Sequence, residues 1–402
     1  MDKVKKLAII NAVPYGSTGK IVRGIDSVAR QKGMETVIFY SWTKRLRKSN
    51  APNVVVTSFF GKLLHMALAR FTGKNGGYSF KDTKKIIKHL EKFKPDAINL
   101  HIMHSWNINL HMLFDYVKKN DIPVIWTMHD CWAFTGHCPC FDMIGCYKWK
   151  TGCFECPQYK DYPNTYFDRS EKMWRLKREW FTGIKNMTLV TPSEWMCDTV
   201  KQSFLSEYPV KVINNGIDLT VFKPTESDFR KKYNCEGKYI LLGVAFDWSV
   251  RKGLDVFIEL AKRLDDEYQI VLVGTNDEID KSLPKNIISI HKTENQAELA
   301  KIYSASDLFI NPTREDNFPT VNMESIACGL PLITFKTGGS IEIFDEGSGL
   351  MVDKDDIDGM ERAIRQVRKD GGLSREECIL RSKKYDQNER FTEYVDLIQS
   401  ML

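Results

Sequence analysis

Residues 311–342 read NPTREDNFPTVNMESIACGLPLITFKTGGSIE, and the fold turns on them. Two acids, Asp316 and Glu324, bracket a helix start. DLFINPT ahead of them is a short apolar strand, and PLITF behind them is another. Between the two strands, Cys328-Gly329 puts a glycine where a helix ends. The order is strand, loop, helix, strand, then a Gly338-Gly339 turn expected to open a further helix. In an open parallel α/β sheet such loops lie at the carboxyl ends of the strands, where ligands bind. Helix N termini there offer N–H groups suited to phosphate. An ionised carboxylate only accepts hydrogen bonds and can hold two vicinal hydroxyls. A nucleotide bearing a sugar fits both. Two acids eight positions apart are, taken alone, more often structural or solvated; the surrounding pattern is what adds specificity.

That pattern, E-D-N-F-P followed by E-S-I-A-C-G-L-P and T-G-G-S-I-E, resembles the donor-site signature of retaining glycosyltransferases of family four, which have the GT-B fold. The family's spacing is an acid, seven residues, then Glu. Asp316 stands where Glu is usual, and Glu324 matches. The resemblance implies an α/β chain of two doubly wound Rossmann-like domains facing across a cleft, with a C-terminal helix crossing back to the first domain. The expected bounds are 1–216, 217–385 and 386–402, with a cysteine-rich insertion at 131–157.

At 402 residues the chain can bury two cores. It has no run of eighteen apolar residues, so no spanning helix is expected. The opening MDKVKKLAIINAVPYG imitates a signal peptide, but its apolar run is short and ends in a glycine loop, as suits the first buried strand of a cytoplasmic protein. Residues 1–218 hold 33 Lys and Arg against 19 Asp and Glu, whereas the remainder holds 25 against 33. So basic a first half suits an anionic partner, such as a membrane surface, a pyrophosphate-linked lipid or an acidic glycan. No nucleic-acid recognition motif accompanies the charge, and nucleic acid is not expected as a partner.

Residues 7–13 read as a strand, and PYGSTGKI as a glycine-rich turn into a helix, where Gly16 and Gly19 would let a ligand approach the backbone. On chemistry alone, ligand loop and structural turn are balanced; placement in the first βα crossover, as in the resembled family, favours the site. ETVIFY is the next strand, followed by a basic loop with Lys44, Arg45, Arg47 and Lys48. SFFGKLLHMALARFTGK is an amphipathic helix, read first as core-facing with its basic residues in solvent. Its rival is a helix lying in a membrane interface. PVIWTMHD delivers His129 and Asp130 to a strand end. A buried His is commonly a hydrogen-bonded core residue, but the family's His at this point contacts the donor sugar. His101 and His104, after a neighbouring strand, are weaker candidates.

Six of ten cysteines fall between Cys131 and Cys156. In a cytoplasmic enzyme such clustering favours metal or free thiols over disulfides. Cys138, Cys146, Cys153 and Cys156 could supply the four soft ligands of a structural zinc site, with Cys140 or His137 able to replace one. Some family members carry a similar W-x-F-T-G-x-C segment. Free thiols and disulfides remain the alternatives.

Residues 215–218, NGID, resemble the family's interdomain boundary. In the second half, Arg251-Lys252-Gly253 sets two cations at a helix start, where a leaving diphosphate gains charge. Phe246 holds the place at which the family usually has an earlier Arg. The implied activity is retaining transfer of a hexosyl-type sugar from a nucleotide diphosphate, uridine favoured over guanosine, to a glycan or lipid-linked acceptor in capsule, exopolysaccharide or lipopolysaccharide assembly. Lys252 and Arg251 would hold the diphosphate, Glu324 the ribose, and Asp316 with His129 the sugar. Gly16, Asn317, Phe318, Pro319, Thr320, Gly338 and Gly339 would complete the cradle. No catalytic cofactor is expected, and the enzyme would be cytoplasmic, at most peripheral on the inner membrane face. Two rivals are a nucleotide-sugar 2-epimerase of the same fold, which needs no acceptor, and a non-catalytic binding subunit, which turns nothing over.

Overall fold

The computed structural model describes residues 4–43 and 54–402, so the basic loop with Lys44, Arg45, Arg47 and Lys48 lies outside the described residues. The chain divides into two compact units, Met1–Asn214 with Asn388–Leu402, and Asn215–Gln387.

In the first unit the elements run β1 (Lys6–Asn11), α1 (Gly16–Gln31), β2 (Glu35–Tyr40), β3 (Val54–Val56), α2 (Phe59–Thr72), α3 (Phe80–Phe93), β4 (Ala97–Leu100), α4 (Leu110–Asn120), β5 (Val124–Thr127), α5 (Ser170–Phe181), β6 (Met187–Thr191), α6 (Glu194–Lys201) and β7 (Val210–Val212). The sheet order is β3-β2-β1-β4-β5-β6-β7, with parallel pairing. Strand alternation divides the core in two. Ala8, Ile10, Ile98, Leu100, Val124 and Trp126 pack on one face, and Leu7, Ile9, Ala97 and Ile125 on the other. Burial on both faces is what a parallel sheet demands, and it explains why these strands read as unbroken apolar runs.

The second unit runs α7 (Phe229–Lys232), β8 (Tyr239–Val244), α8 (Leu254–Arg263), β9 (Tyr268–Val273), α9 (Asp277–Asp280), β10 (Ile287–Ile290), α10 (Gln296–Ala305), β11 (Leu308–Asn311), α11 (Thr320–Ala327), β12 (Leu332–Phe335), β13 (Gly349–Val352), α12 (Ile357–Asp370) and α13 (Arg375–Ser382). Its sheet order is β10-β9-β8-β11-β12-β13, again parallel. The strand order reverses beside β8, so the carboxyl ends of β8 and β11 form the switch point at which such sheets take ligands.

The last helix, α14 (Gln387–Ser400), returns to the first unit. Phe391, Tyr394, Val395 and Ile398 join Ile21, Val22 and Ile25 of α1 in its core. A Cβ on Gly24 would fall 2.1 Å from the Phe391 ring, so the two helices meet where α1 has no side chain.

Two expectations need correction. The core-facing reading of α2 fails: only His65 and Ala69 are buried, while Phe60 is 80% exposed and Leu64 and Phe71 are each 62% exposed. The cause is polar anchoring of the inner face. Gly76 N–H donates to His65 Nε2 (3.1 Å), and His65 Nδ1 pairs with Ser79 Oγ (2.8 Å), leaving the large apolar residues outward. The further helix after the Gly338-Gly339 turn is only a 3₁₀ turn, Gly338–Glu342, before the chain enters β13.

Candidate active site

In the second unit the expected donor residues converge on the switch point. After β8 the chain makes a 3₁₀ turn, Val250–Lys252, and enters α8 through Gly253. After β11 it passes Thr313, Arg314 and Asp316 before α11. The two loops are tied together. Arg314 N–H donates to Arg251 O (2.9 Å), and Lys252 Nζ pairs with Asp316 Oδ2 at 2.5 Å. Both side chains of that pair are about one-fifth exposed. Arg251 itself reaches back to Glu315 O (3.4 Å).

Arg314 was not singled out from the sequence, and it organises the loops. Its guanidinium grips Asp255 in a bidentate pair (2.8 and 2.7 Å) and Asp355 through Nε (2.6 Å). Partial burial pushes the Asp255 carboxyl up, but the bonds from Arg314 outweigh it and hold the group below its usual range. Arg314 is therefore spent on structure, and Arg251 and Lys252 are the further cations of these two loops.

The segment leading to α11 is built tightly. Asp316 Oδ1 accepts from Phe318 N–H (3.3 Å), and Phe318 is buried against the Tyr385 ring. Pro319 and Thr320 open α11, whose start carries no side-chain cap. Asn317 lies between Asp316 and Phe318 in the same turn. Gly338 has φ +49, and a Cβ there would stand 1.9 Å from Asp316 O. Only glycine lets the β12 loop, with Gly339 next to it, pass under Asp316.

Glu324 is buried on α11 and accepts from Tyr303 OH (3.2 Å). Burial, with the Glu324 charge beside it, pushes the Tyr303 phenol far up, so it stays a donor. Phe246 is fully exposed.

In the first unit the candidates sit at the carboxyl ends of the neighbouring strands β1, β4 and β5. Gly16 opens α1 with φ +70, and Gly19 is buried one turn later. Asn11 staples this loop to the next one, donating to Val13 O (2.8 Å) and accepting from Ile102 N–H (3.2 Å). His129 Nε2 lies 2.9 Å from His101 Nδ1, and His101 Nε2 lies 2.8 Å from Asn99 Oδ1. Asn99 Nδ2 donates to Ile125 O (3.0 Å). A carbonyl can only accept, so the Asn99 amide is fixed, and His101 carries its proton on Nε2. His129 then donates through Nε2. Burial lowers both rings, His129 to about 4 with the His104 charge adding to the effect against Asp130, and His101 well below its ordinary value. Asp130 accepts from His104 Nε2 (2.7 Å) and from Trp132 N–H (2.9 Å). His101 and His104, the weaker candidates, are thus bonded into the same cluster as His129 and Asp130. Sequence order alone carried no sign of the pairing.

Cys138, Cys146, Cys153 and Cys156 line one small pocket of about 10 Å³. All are free thiols. Among the described residues, no three His, Cys, Asp or Glu side chains already stand in metal-ligating positions.

Comparison with known proteins covers both units. Residues 30–221 match the family model described as Glycosyltransferase Family 4, and residues 225–385 the one described as Glycosyl transferases group 1. A putative colanic acid biosynthesis glycosyl transferase of Escherichia coli (strain K12) is 23% identical over 85% of either chain. Sucrose-phosphate synthase from Thermosynechococcus elongatus superposes with a TM-score of 0.73 at 14% identity over 99% of each chain. Anabaena HepE in complex with UDP does so with a TM-score of 0.69 at 15% identity, over 99% of this chain and 100% of that one. At these identities the structures speak for the fold alone.

Proposed function

This chain belongs to the family 4 glycosyltransferases of GT-B fold, and on that premise we propose that it transfers a hexosyl-type sugar from a nucleotide diphosphate to a glycan or lipid-linked hydroxyl, with retention of configuration. The observation that carries the reading is the Lys252–Asp316 pair at the sheet's switch point, with Glu324 one helix turn beyond the uncapped start of α11. Lys252 and Arg251 take the diphosphate and stabilise the charge it gains as the glycosidic bond breaks. Glu324, steadied by Tyr303, takes the ribose hydroxyls. Asp316 takes the sugar, and the departing phosphate assists attack from the same face. By resemblance to the family, this chemistry calls for no divalent ion. UDP is the favoured carrier, in keeping with the UDP held by HepE.

The acceptor reading rests on the first unit's charge and on α2. Phe60, Leu64 and Phe71 point outward from a helix that also carries Lys62 and Arg70. No described helix is long and apolar enough to cross a membrane. Such a face suits peripheral docking on an anionic bilayer, where a lipid-linked acceptor would be presented. The colanic acid relative points to polysaccharide assembly.

The test is incubation with a panel of radiolabelled nucleotide sugars and lipid-linked or oligosaccharide acceptors, with product configuration read by NMR. Acceptor-dependent product with the donor's anomeric configuration is expected. Donor consumed without acceptor, yielding an epimer, would replace transfer with isomerisation.

A further inference from the structure

The loop between β5 and α5 contains a built site that glycosyl transfer does not use. Cys138, Cys146, Cys153 and Cys156 come from three turns of that loop and line one pocket of about 10 Å³, room for a single small ion. We propose that this pocket holds a structural zinc ion through its four thiolates, with the buried Lys177 as part of the counter-charge.

The surroundings of the sulfurs are already those of a ligand set. All four line the same pocket, with Lys148 and Trp149 beside them. Gly136 N–H donates to Cys153 Sγ at 3.1 Å. A Cβ on Gly136 would fall 2.6 Å from Cys153 Cβ and 2.3 Å from Ser170 O, so only glycine brings that N–H to the sulfur. Lys148 Nζ ties the carbonyls of Phe154 and Glu155 (3.1 and 3.2 Å), closing the turn between Cys153 and Cys156. Cys156 N–H donates to Asp168 Oδ2 (2.8 Å). Bonds of this kind orient metal ligands and are made here by the backbone and by residues beyond the ligands.

Lys177 is the independent observation. It is fully buried on α5. Its Nζ donates to Trp132 O (2.6 Å) and Thr135 O (3.0 Å) and stands 3.4 Å over the Trp132 ring. Among the described residues no carboxylate comes within ion-pair distance of it. A buried ammonium left without an anion is costly. Zinc bound by four thiolates carries a net charge of about −2, and Lys177 adjoins the loop that bears Cys138. Among the described residues no three His, Cys, Asp or Glu side chains already stand together as a metal-binding group. Neutral thiols have no reason to converge, because zinc binding and loss of the thiol protons occur together. The consequence for the enzyme is mechanical. Zinc would pin the segment that directly follows His129 and Asp130.

The deciding experiment is metal analysis of the full chain, purified without tag or chelator, followed by mercurial titration of the thiols. About one zinc per chain, released as four thiols are modified, is expected. Less than roughly 0.2 zinc per chain, or a disulfide among the four cysteines by mass spectrometry, would overturn the site. Cysteine variants can fail to fold, so Lys177→Met supplies the second arm. It is expected to lose zinc to a chelator about tenfold more readily than the parent chain. Equal retention would overturn the counter-charge role.

Discussion

Lys252 Nζ stands 2.5 Å from Asp316 Oδ2, so two residues from different loops of the second unit are partnered with each other. On the proposed reading, a diphosphate arriving at Lys252 must share or displace that carboxylate, which frees Asp316 towards the sugar and couples nucleotide binding to sugar positioning through one ion pair. Lys252→Ala is expected to cut transfer about 10²–10³-fold, the range for removing one fixed charge stabiliser. Asp316→Asn should retain nucleotide binding and lose turnover. Steady-state kinetics separates the two; near-normal turnover in Lys252→Ala would refute its assignment.

Tyr303 and Glu324 offer a finer test. Removing the phenol's hydrogen bond in Tyr303→Phe should weaken nucleotide binding by about 1 kcal/mol, while Glu324→Gln, which loses a charged acceptor, should weaken it by about 1.5–3 kcal/mol. Calorimetric titration with the preferred nucleotide measures both. An identical affinity in all three proteins would remove Glu324 from the ribose site.

Gly338 is constrained by backbone, not by a movable side chain. Gly338→Val would drive Cβ to within 1.9 Å of Asp316 O at a φ of +49. The expected cost is about 1–3 kcal/mol, with the Asp316 loop displaced and transfer lost. Denaturant melts and activity assays together check this. A variant with unaltered stability and turnover would show that the two loops do not meet so closely.

Stability should depend on acidity through the first unit. Burial lowers His65 to about 3 and His129 to about 4, and takes His101 well below its ordinary value. Unfolded, these rings take protons near pH 6.5; folded, they do not until the pH is far lower. Between about pH 6.5 and 4 the unfolded chain therefore binds more protons, and stability falls as pH falls. Thermal melts from pH 7.5 to 4.5 should show a declining midpoint, with a shallower slope in His129→Gln. A flat or rising midpoint would contradict the burial of neutral rings.

The exposed face of α2 makes a separate prediction. Phe60→Glu with Leu64→Glu should abolish retention on anionic liposomes at low salt without altering the melting midpoint, since both side chains are mostly outside the core. Equal retention of parent and variant would move docking elsewhere on the molecule.

Much of this was legible in the sequence. ETVIFY is β2 residue for residue, because its last four residues form the β-branched and aromatic run that a strand in a parallel sheet buries. The element order around Asp316, Glu324 and Gly338 was legible: Asp316 and Glu324 lie in the loop and helix between β11 and β12, and Gly338 follows β12. The direction α2 faces was not legible. Its period is helical either way, and the deciding contacts of His65 come from Ser79 and Gly76, outside the helix. Arg314 escaped notice for the same reason: its partners, Asp255 and Asp355, are 59 and 41 positions away. The link between His101 and His129 spans 28 positions and exists only because β4 and β5 are adjacent.

The most direct measurement is thermal stability with UDP, GDP, ADP and dTDP in turn. A nucleotide at about 100 times its dissociation constant should stabilise the protein by about 2.7 kcal/mol. A shift with one nucleotide, UDP first among them, that disappears in Lys252→Ala is the expected result. No shift with any of the four, in protein that melts cooperatively, would contradict a nucleotide-sugar site at the end of β8 and β11.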